Sequence, residues 1–292
     1  AEAKELAERI EELSKIVAED SELLKVLKKE LRDIKKQYGN PRKTEIEAEI
    51  EEIVIETEVL IIPEEVIVTI TKEGYLKRSS LRSYQASKPI ELGMKEGDEV
   101  LFAKQLNTLD HLYLVTTKGN IIYRPVHELP EVRWKELGEH LSQTITTTLS
   151  NEAILAVFDF KELPTDKTFL FISREGWIKQ TNCLDFAPGR TYRSRAQVCM
   201  TLKTPTDEIV DVFLIDPNEA LDVFLASHQA YGLRYAVQEV PIVGARAAGV
   251  KSMNLKENDF VVNGLVVYSE GDSPIVIVSQ RVSVLYPFSC GI

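Results

Sequence analysis

The sequence has few of the residues from which metal and disulfide sites are built. Its 292 residues include three cysteines and four histidines. The cysteines, Cys183, Cys199 and Cys290, lie far apart and form no CxxC pair. This spacing argues against a structural zinc site or a disulfide framework, and it fits a reducing cytoplasm. The histidines show no HExxH spacing, so we interpret them as structural.

Long apolar runs and catalytic motifs are also missing. No apolar run reaches the roughly 18 residues of a transmembrane helix, and the charged N-terminus does not resemble a signal peptide. A P-loop, a GxGxxG motif and a GxSxG motif are absent. The carboxylates form no spaced pair that stands out from solvated loops. We therefore predict no catalytic residue, no metal site and no cofactor-binding site in this chain.

What the sequence has in excess is negative charge. The net charge is −11, which argues against a nucleic-acid partner unless the cations gather on one face. Residues 1–58 hold 17 acidic against 11 basic residues, and the rest of the chain holds 29 against 24. The acid excess per residue is therefore concentrated at the N-terminal end.

The N-terminal pattern predicts helix over residues 1–38. Apolar residues recur there at steps of three and four, with a break where Asp20-Ser21 resembles a helix cap. The sequence Gly39-Asn40-Pro41 ends the helix, with a glycine after the last helical residue and then a proline that cannot continue it. The apolar stripe fits either a coiled coil with a partner or a helix packed on the same chain. Residues 44–59 partly alternate glutamate with aliphatic residues, which is typical of an edge strand protected by charge.

From residue 60 onward the chain repeats a unit of roughly 50 residues. Each unit opens with an acidic or amide pair and an apolar run, and a second run, a tight turn and a third run follow. The pairs begin at Asp98, Asn151, Asp207 and Asn258. The turns lie at Gly74, Gly119, Gly176, Ala230 and Val282, with spacings of 45, 57, 54 and 52. Such units are typical of propeller blades, since one blade cannot bury both faces alone. The pattern predicts an all-β, propeller-like domain of about five blades, preceded by the helical segment.

Lysines and arginines recur after the turns in four of these units. They are Lys77, Arg78, Arg82 and Lys88; Arg124, Arg133 and Lys135; Lys179, Arg190, Arg193 and Arg195; and Arg234, Arg246 and Lys251. Equivalent places in successive blades lie along one rim, so we predict an arc of donors that binds phosphates without reading sequence. The fifth unit offers only Arg281 and is expected to contribute little. The alternatives are a propeller-type protein-interaction scaffold, which the acidic balance would suit, and a propeller hydrolase, whose funnel of carboxylates and histidines is not evident.

Several stretches resemble the A subunits of bacterial type IIA DNA topoisomerases. Residues 31–44 (LRDIKKQYGNPRKT) resemble the end of their breakage-reunion region. Residues 63–78 (PEEVIVTITKEGYLKR) resemble the first blade of their C-terminal domain. Residues 118–124 (KGNIIYR), 174–179 (REGWIK) and 244–253 (GARAAGVKSM) continue the resemblance, which covers nearly the whole chain.

The resemblance implies a β-pinwheel, in which neighbouring blades exchange strands, with double-stranded DNA bent around a basic rim. It divides the chain into a helical end of the breakage-reunion and coiled-coil region (1–43), an acidic linker strand (44–62) and the pinwheel (63–292). An alternative role for the linker is an acidic segment that competes with DNA. The catalytic tyrosine would lie upstream of this chain, and ATP and magnesium would be held by the B subunit. The implied partners are DNA, the B subunit, and the rest of the A subunit, with no membrane.

Within the family, the sequence favours the topoisomerase IV branch. Gyrase A subunits carry a Gln-Arg-Arg-Gly-Gly-Lys-Gly-like box after the first blade. The matching residues 85–93 read QASKPIELG, and Arg-Arg-Gly-Gly occurs nowhere in the chain. The resemblance therefore implies a cytoplasmic, non-catalytic, DNA-bending domain of an enzyme that relaxes and decatenates DNA. The alternative is a gyrase A subunit with a degenerate box.

Overall fold

A computed structural model describes residues 2–40, 61–145 and 152–270, together with the strands at 275–278 and 283–286. The chain divides into two compact units, residues 1–55 and 56–292. Most of the predicted acidic linker lies outside the described residues. The same holds for the fifth turn with Arg281, and for Cys290.

The N-terminal unit consists of two helices, α1 (Glu2–Ala18) and α2 (Asp20–Tyr38). Glu19 separates them in an extended conformation, and its side chain makes no capping hydrogen bond. The predicted break is thus present, but Asp20 is the first helical residue rather than the cap. The apolar stripe is exposed along both helices, and neither helix has a buried residue. Among the described residues, no helix is long and apolar enough to cross a membrane.

The second unit is built from short antiparallel strands. They are β1 (Glu65–Thr71), β2 (Tyr75–Ser80), β3 (Val100–Asn107), β4 (His111–Thr116), β5 (Asn120–Pro125), β6 (Glu139–His140), β7 (Ile154–Phe160), β8 (Thr168–Ser173), β9 (Trp177–Asn182), β10 (Gln197–Val198), β11 (Ile209–Ile215), β12 (Leu221–Ser227), β13 (Gly232–Ala236), β14 (Val250–Lys251), β15 (Val261–Tyr268), β16 (Ile275–Val278) and β17 (Ser283–Tyr286). A short helix, α3 (Leu81–Gln85), follows β2. Single 3₁₀ turns lie at Pro89–Glu91, Val126–Glu128, Leu141–Gln143, Cys183–Phe186 and Val237–Glu239.

The strands form four sheets, which we call blades 1 to 4, and a fifth, two-stranded hairpin. Their strand orders are β3-β1-β2-β6, β10-β5-β4-β7, β11-β8-β9-β14, β13-β12-β15 and β16-β17. In blades 1 to 4, two consecutive strands form a hairpin and a third strand pairs with the first strand of that hairpin. These third strands are β3, β7, β11 and β15, which pair with β1, β4, β8 and β12 respectively. The predicted all-β, propeller-like class is confirmed.

Blades 1 to 3 are each completed by two residues of the next blade. The strands β6, β10 and β14 pair with β2, β5 and β9 respectively. In blades 1 and 3 a parallel bridge precedes the exchanged strand, at Arg78–Glu131 and Gln180–Ile242. The exchanged strand saturates an edge that would otherwise expose unpaired N–H and C=O groups. The strand exchange that the resemblance implied is therefore present in the described residues.

The acidic pairs close the hairpin turns of their own blades. In three blades one carboxylate oxygen accepts hydrogen bonds from two backbone N–H groups, one in the turn and one beside the acid. These are Asp98 with Glu73 and Glu99, Asp207 with Glu175 and Glu208, and Asp259 with Gln229 and Phe260. The apolar run after each pair joins the hairpin before it (β3, for instance, pairs with β1). The sequence-based unit boundary is therefore wrong by one strand, because a repeat read from sequence has no natural starting point.

Successive blades bury a core between them. Leu112 and Leu114 of β4 enter the core shared with blade 1, and Tyr113 and Val115 of the same strand enter the core shared with blade 3. Strand β8 alternates in the same way between the second and third cores. Since a strand turns successive side chains to opposite faces, β4 and β8 each carry four consecutive buried hydrophobic residues between polar ends.

Because the exchanged strand approaches β2 closely, we predict that replacing Gly138 by a larger residue destabilises the fold. A Cβ there would lie 2.3 Å from the Leu76 carbonyl oxygen. We expect Gly138→Ala to push β6 away from β2 and to lower the free energy of unfolding by about 1–3 kcal/mol. Urea unfolding followed by circular dichroism measures the change. The control is Gly189→Ala, whose Cβ would meet nothing within 4 Å. Equal stability of the two variants would contradict this account of the joint between blades.

Candidate nucleic-acid interface

The predicted cations lie mainly in or beside the four segments that join the second strand of each hairpin to the third strand of its blade. We call these the connections: residues 81–99, 126–153, 183–208 and 237–260. The second, third and fourth connections carry the exchanged strands. The third strands approach one another from blade to blade. The exchanged strands therefore form the opposite, outward edge of the sheets.

Lys77 of β2 is buried and does not reach this edge. Its Nζ donates to the carbonyl oxygens of Gly93 at 3.1 Å, Trp134 at 2.8 Å and Glu136 at 2.6 Å. Burial lowers its pKa from 10.5 to about 8. Trp134 and Glu136 belong to the second connection, so this lysine of blade 1 holds the backbone of blade 2.

Lys179 of β9 repeats the arrangement two blades later. Its side chain is fully buried, and its Nζ donates to the carbonyl oxygens of Gly244 at 3.1 Å and Ala245 at 2.7 Å. These carbonyls belong to the fourth connection. The Nζ also lies 5.5 Å from the centroid of the Phe171 ring, a cation–π contact. Burial lowers the pKa of Lys179 to about 8.

Arg124 of β5 does the same between blades 2 and 3. One terminal nitrogen donates to the carbonyl of Tyr192 at 2.9 Å, and the other donates to the carbonyl of Arg193 at 3.0 Å and to the hydroxyl of Thr144 at 2.9 Å. The side chain is buried, and burial lowers its pKa. Here five fixed donors replace the ammonium of the other two blades.

The prediction that Lys77, Arg124 and Lys179 contact phosphates is therefore corrected. Each is buried and donates hydrogen bonds to at least two backbone carbonyls of the next blade. Burying an unpaired cation would be strongly unfavourable, and the carbonyls are what make its burial possible. We call these three residues the inter-blade cations. Their regular recurrence in the sequence reflects how blades are joined.

Two further predicted cations are partly buried in ion pairs. Arg78 reaches Glu131 at 3.2 Å, and its side chain is 19% exposed. Arg234 pairs with Asp222 at 2.7 Å and is 25% exposed. Both are weaker candidates for DNA contact, since a phosphate would have to compete with a carboxylate already in place.

Three exposed cations also have partners. Lys135 pairs with Glu91 at 2.9 Å, and Lys251 donates to the Glu175 carbonyl at 2.7 Å. Arg193 is 73% exposed but points two nitrogens at one oxygen of Glu128, at 2.9 and 2.5 Å. That carboxylate and the Tyr192 hydroxyl raise the pKa of Arg193. Exposed ion pairs of this kind contribute little to the free energy of folding, so these cations can exchange their partners for phosphates.

The remaining predicted cations are exposed and form no ion pair within the described residues. They are Arg82, Lys88, Arg133, Arg190, Arg195 and Arg246. All lie in the connections. The third connection is the most basic up to its exchanged strand, with three arginines and one aspartate in residues 183–196. These six side chains are the part of the predicted arc that the structure leaves available.

Cations of neighbouring blades converge at one cleft. Arg195 of the third connection and Arg246 of the fourth line the same cavity of about 380 Å³. Its walls include Tyr123, Phe186 and Tyr192. Exposed arginines of two neighbouring blades therefore line one cavity.

The connections place their cations in phase. Lys135, Arg193 and Arg246 each lie four residues before the first residue of an exchanged strand, at Glu139, Gln197 and Val250. The exchanged strand fixes this register, because it pairs with the same strand of each preceding hairpin. The sequence analysis aligned the repeats on their hairpin turns and did not detect this register. The number of residues between the turn and the exchanged strand differs from blade to blade.

The sequence reasoning missed Lys203. Its Nζ lies 5.2 Å from the centroid of the Trp177 ring, and the Nζ of Lys251 lies 5.3 Å from the same ring. The Trp177 side chain is half-buried: it packs against the core shared by blades 2 and 3 and lies between these two exposed lysines. No sequence signal links the three, because they come from β9, the third connection and β14. Trp134, by contrast, is buried as a core residue.

The described residues hold no group of three or more histidine, cysteine or acidic side chains that could bind a metal ion. Cys183 and Cys199 are buried, and burial raises the pKa of each thiol to about 12. At neutral pH they are protonated and unreactive, since the thiolate is the nucleophile and the metal ligand.

Comparison with known proteins places the chain among topoisomerase domains. The family model for the DNA gyrase C-terminal domain, beta-propeller, matches residues 65–107, 110–159 and 221–267. The A subunit of DNA topoisomerase 4 from Streptococcus pneumoniae serotype 4 is 44% identical over 214 residues, which make up 73% of this chain and 25% of that protein. This chain spans about a quarter of the length of the curated relatives it matches.

Solved structures agree with this placement. The crystal structure of the C-terminal domain of DNA topoisomerase IV is 41% identical, with a TM-score of 0.70, and the match covers 78% of this chain and 69% of that one. The structure of the DNA gyrase A C-terminal domain is 22% identical, with a TM-score of 0.53 over 77% of this chain and 72% of that one, and it supports the fold alone.

The burial of Lys179 predicts a stability that rises with pH. We expect Lys179→Met to lower the free energy of unfolding by about 1–3 kcal/mol at pH 7, because the part-buried Ala245 carbonyl loses its donor and the Gly244 carbonyl loses one of its two donors. The folded-state pKa of about 8 lies below the ordinary 10.5, so the unfolded chain binds more protons between these values. The wild type should therefore gain stability over the variant as pH rises from 7 to 10.

Urea unfolding at several pH values measures this difference. The control is Lys161→Met, which removes an exposed lysine and should change stability little at any pH. A gap between wild type and Lys179→Met that stays constant from pH 7 to 10 would show that Lys179 is not perturbed by burial.

Proposed function

The chain belongs to the family of C-terminal domains of DNA topoisomerase IV A subunits, and we propose on that premise that it binds and bends duplex DNA through the exposed cations of its connections. In this role it positions DNA for strand passage, decatenation and relaxation by the whole enzyme, and it has no catalytic step of its own. The single observation that carries the proposal is the convergence of Arg195 and Arg246, from successive connections, on one cleft.

Phosphate contact explains why an acidic chain presents these side chains. DNA binding requires local positive potential along a path, and the net charge of the protein is secondary. The connections supply such a path, since one follows another from blade to blade along the outward edge. Arginine suits this role, because its planar fork of donors matches phosphate oxygens.

Bending follows from the placement of the cations on successive blades. A straight duplex that meets one connection leaves the next unused, unless the blades lie on a line. A duplex that curves with the blades adds contacts at each connection, and these offset its bending free energy of about 1–6 kcal/mol over a site of 20–30 base pairs. Since the contacts are to phosphates, we expect little dependence on base sequence.

A protein-interaction scaffold remains the alternative in another class, and DNA binding at low salt separates the two. At the level of the whole enzyme, we propose two partners: the rest of the A subunit, and a B subunit that holds ATP and magnesium. The proposed location is the cytoplasm, at the nucleoid.

Salt dependence tests the interface directly. With about five phosphates neutralised, a plot of log K against log salt concentration should have a slope of about −4.5. Arg195→Ala and Arg246→Ala should each reduce the magnitude of the slope by about 0.9, on random duplexes of any sequence. Fluorescence anisotropy at four or more salt concentrations provides the measurement.

The matched control is Lys161→Ala, which removes an exposed cation outside the connections and should leave affinity and slope unchanged. If the two arginine variants bind as the wild type does, or if all three variants lose affinity equally, the connections are not the DNA interface.

The missing Arg-Arg-Gly-Gly box predicts the activity of the parent enzyme. Without the box, we expect the enzyme to relax supercoiled plasmid and to decatenate linked circles but not to supercoil relaxed plasmid. The assay uses the full A subunit that contains this chain, reconstituted with its B subunit, ATP and magnesium. Robust negative supercoiling would move the assignment to gyrase.

A further inference from the structure

We propose that the three inter-blade cations are positioning residues of the DNA interface: each buried cation of one blade holds the part of the next connection that presents DNA-binding cations. This proposal rests on the proposed function, and it adds residues that do not touch DNA. It makes the affinity of one blade for DNA depend on a side chain inside the preceding blade.

The contacts of Lys179 show how the arrangement works. Its Nζ binds the carbonyls of Gly244 and Ala245, and Arg246 is the next residue along the chain. The Ala245 carbonyl belongs to the peptide unit that also contains the Arg246 nitrogen. Holding that oxygen therefore fixes the plane from which the Arg246 side chain leaves the backbone, because a peptide unit is rigid.

The rest of this loop depends on few other anchors. Val243 N–H donates to the Gln180 carbonyl at 2.9 Å, and the Arg246 carbonyl accepts from the Thr201 hydroxyl at 2.6 Å. Between them, Gly244 has open space around it. The Gly244 carbonyl also accepts from the Ala247 N–H at 3.0 Å, whereas within the described residues the Ala245 carbonyl accepts from Lys179. Without the lysine, the peptide unit directly before Arg246 therefore loses its anchor.

Arg124 and Lys77 repeat the arrangement at the other two joints. Arg124 holds the carbonyls of Tyr192 and Arg193, directly before the pair Ser194-Arg195. Lys77 holds the carbonyls of Trp134 and Glu136, one on each side of Lys135. In all three joints a buried cation of the preceding blade binds carbonyls within two residues of an exposed cation. If the buried cations served only to join blades, they could bind carbonyls anywhere in the next connection. In all three joints, however, the carbonyls they bind lie next to exposed cations.

The choice of a cation for this position has a physical reason. A backbone loop that points basic side chains outward can turn its carbonyls inward, and a buried ammonium or guanidinium satisfies several carbonyls at once. Hydrogen bonds from a charged donor are about twice as strong as neutral ones. The loop is therefore ordered before DNA arrives, which lowers the conformational entropy lost on binding.

A double-mutant cycle tests the proposal on the 292-residue chain. Lys179→Met, Arg246→Ala and the double variant are titrated with a random duplex across salt concentrations, at a temperature where circular dichroism shows each to be folded. We expect Lys179→Met to reduce the magnitude of the salt slope by about 0.9, as Arg246→Ala does. In the Lys179→Met background, Arg246→Ala should have little further effect, because the contact is already lost.

Gly138→Ala is the control for a purely structural role, since it is also expected to destabilise a joint between blades but leaves the fourth connection unchanged. Its effect on binding should add to that of Arg246→Ala. If Lys179→Met does not fold, Lys179→Gln takes its place in the cycle, because an amide still donates to one carbonyl and loses the charge.

The outcomes separate the two proposals. If Arg246→Ala weakens binding and Lys179→Met changes neither affinity nor slope, or if the two effects add, positioning by Lys179 is overturned while the DNA interface stands. If Arg246→Ala itself leaves binding unchanged, the proposed interface fails and the positioning role fails with it. A non-additive cycle with a shared loss of slope supports both.

Discussion

The edge of each sheet is the constraint on which the rest of the structure depends. A three-stranded sheet with an open edge presents unpaired backbone groups, and such an edge pairs readily with another chain. Here two residues of the next connection occupy the edge in blades 1 to 3. At the position immediately before the exchanged strand, a Cβ atom would collide with a carbonyl oxygen of β2 or β9. This close approach accounts for the glycines found there, Gly138 and Gly249.

The exchange brings polar backbone groups into the region between blades, and these groups need hydrogen-bond partners there. The inter-blade cations supply the donors. A connection that crosses to the preceding blade carries carbonyls with no partner in any ladder. Lys77, Arg124 and Lys179 bind those carbonyls from inside. The apolar cores on the two faces of each blade then supply most of the stabilisation, so the blades depend on their neighbours as repeats of a solenoid do.

The sequence predicted the fold class well, because turns and apolar runs recur at intervals close to the length of a blade. Strand exchange was accessible through the family resemblance alone, since strands such as Glu139–His140 are too short to leave a pattern. The site was predicted in part. Periodicity found lysines and arginines, but it could not show that Lys179 is enclosed while Arg246 is exposed. That difference depends on which carbonyls fold back onto β9, a contact between residues 65 positions apart.

The two-residue exchange also sets an order in time. During synthesis, β1, β2 and β3 have all emerged once Asn107 clears the ribosome, yet the edge of their sheet stays open until Glu139 and His140 follow. Blade 2 waits in the same way for Gln197 and Val198, and blade 3 for Val250 and Lys251. Every nascent intermediate therefore carries one incomplete blade at its growing end. Chains emerge at about 5–20 residues per second, so each open sheet edge persists for seconds. A translational pause within a connection would prolong this interval, during which the open edges of two nascent chains on the same mRNA can pair.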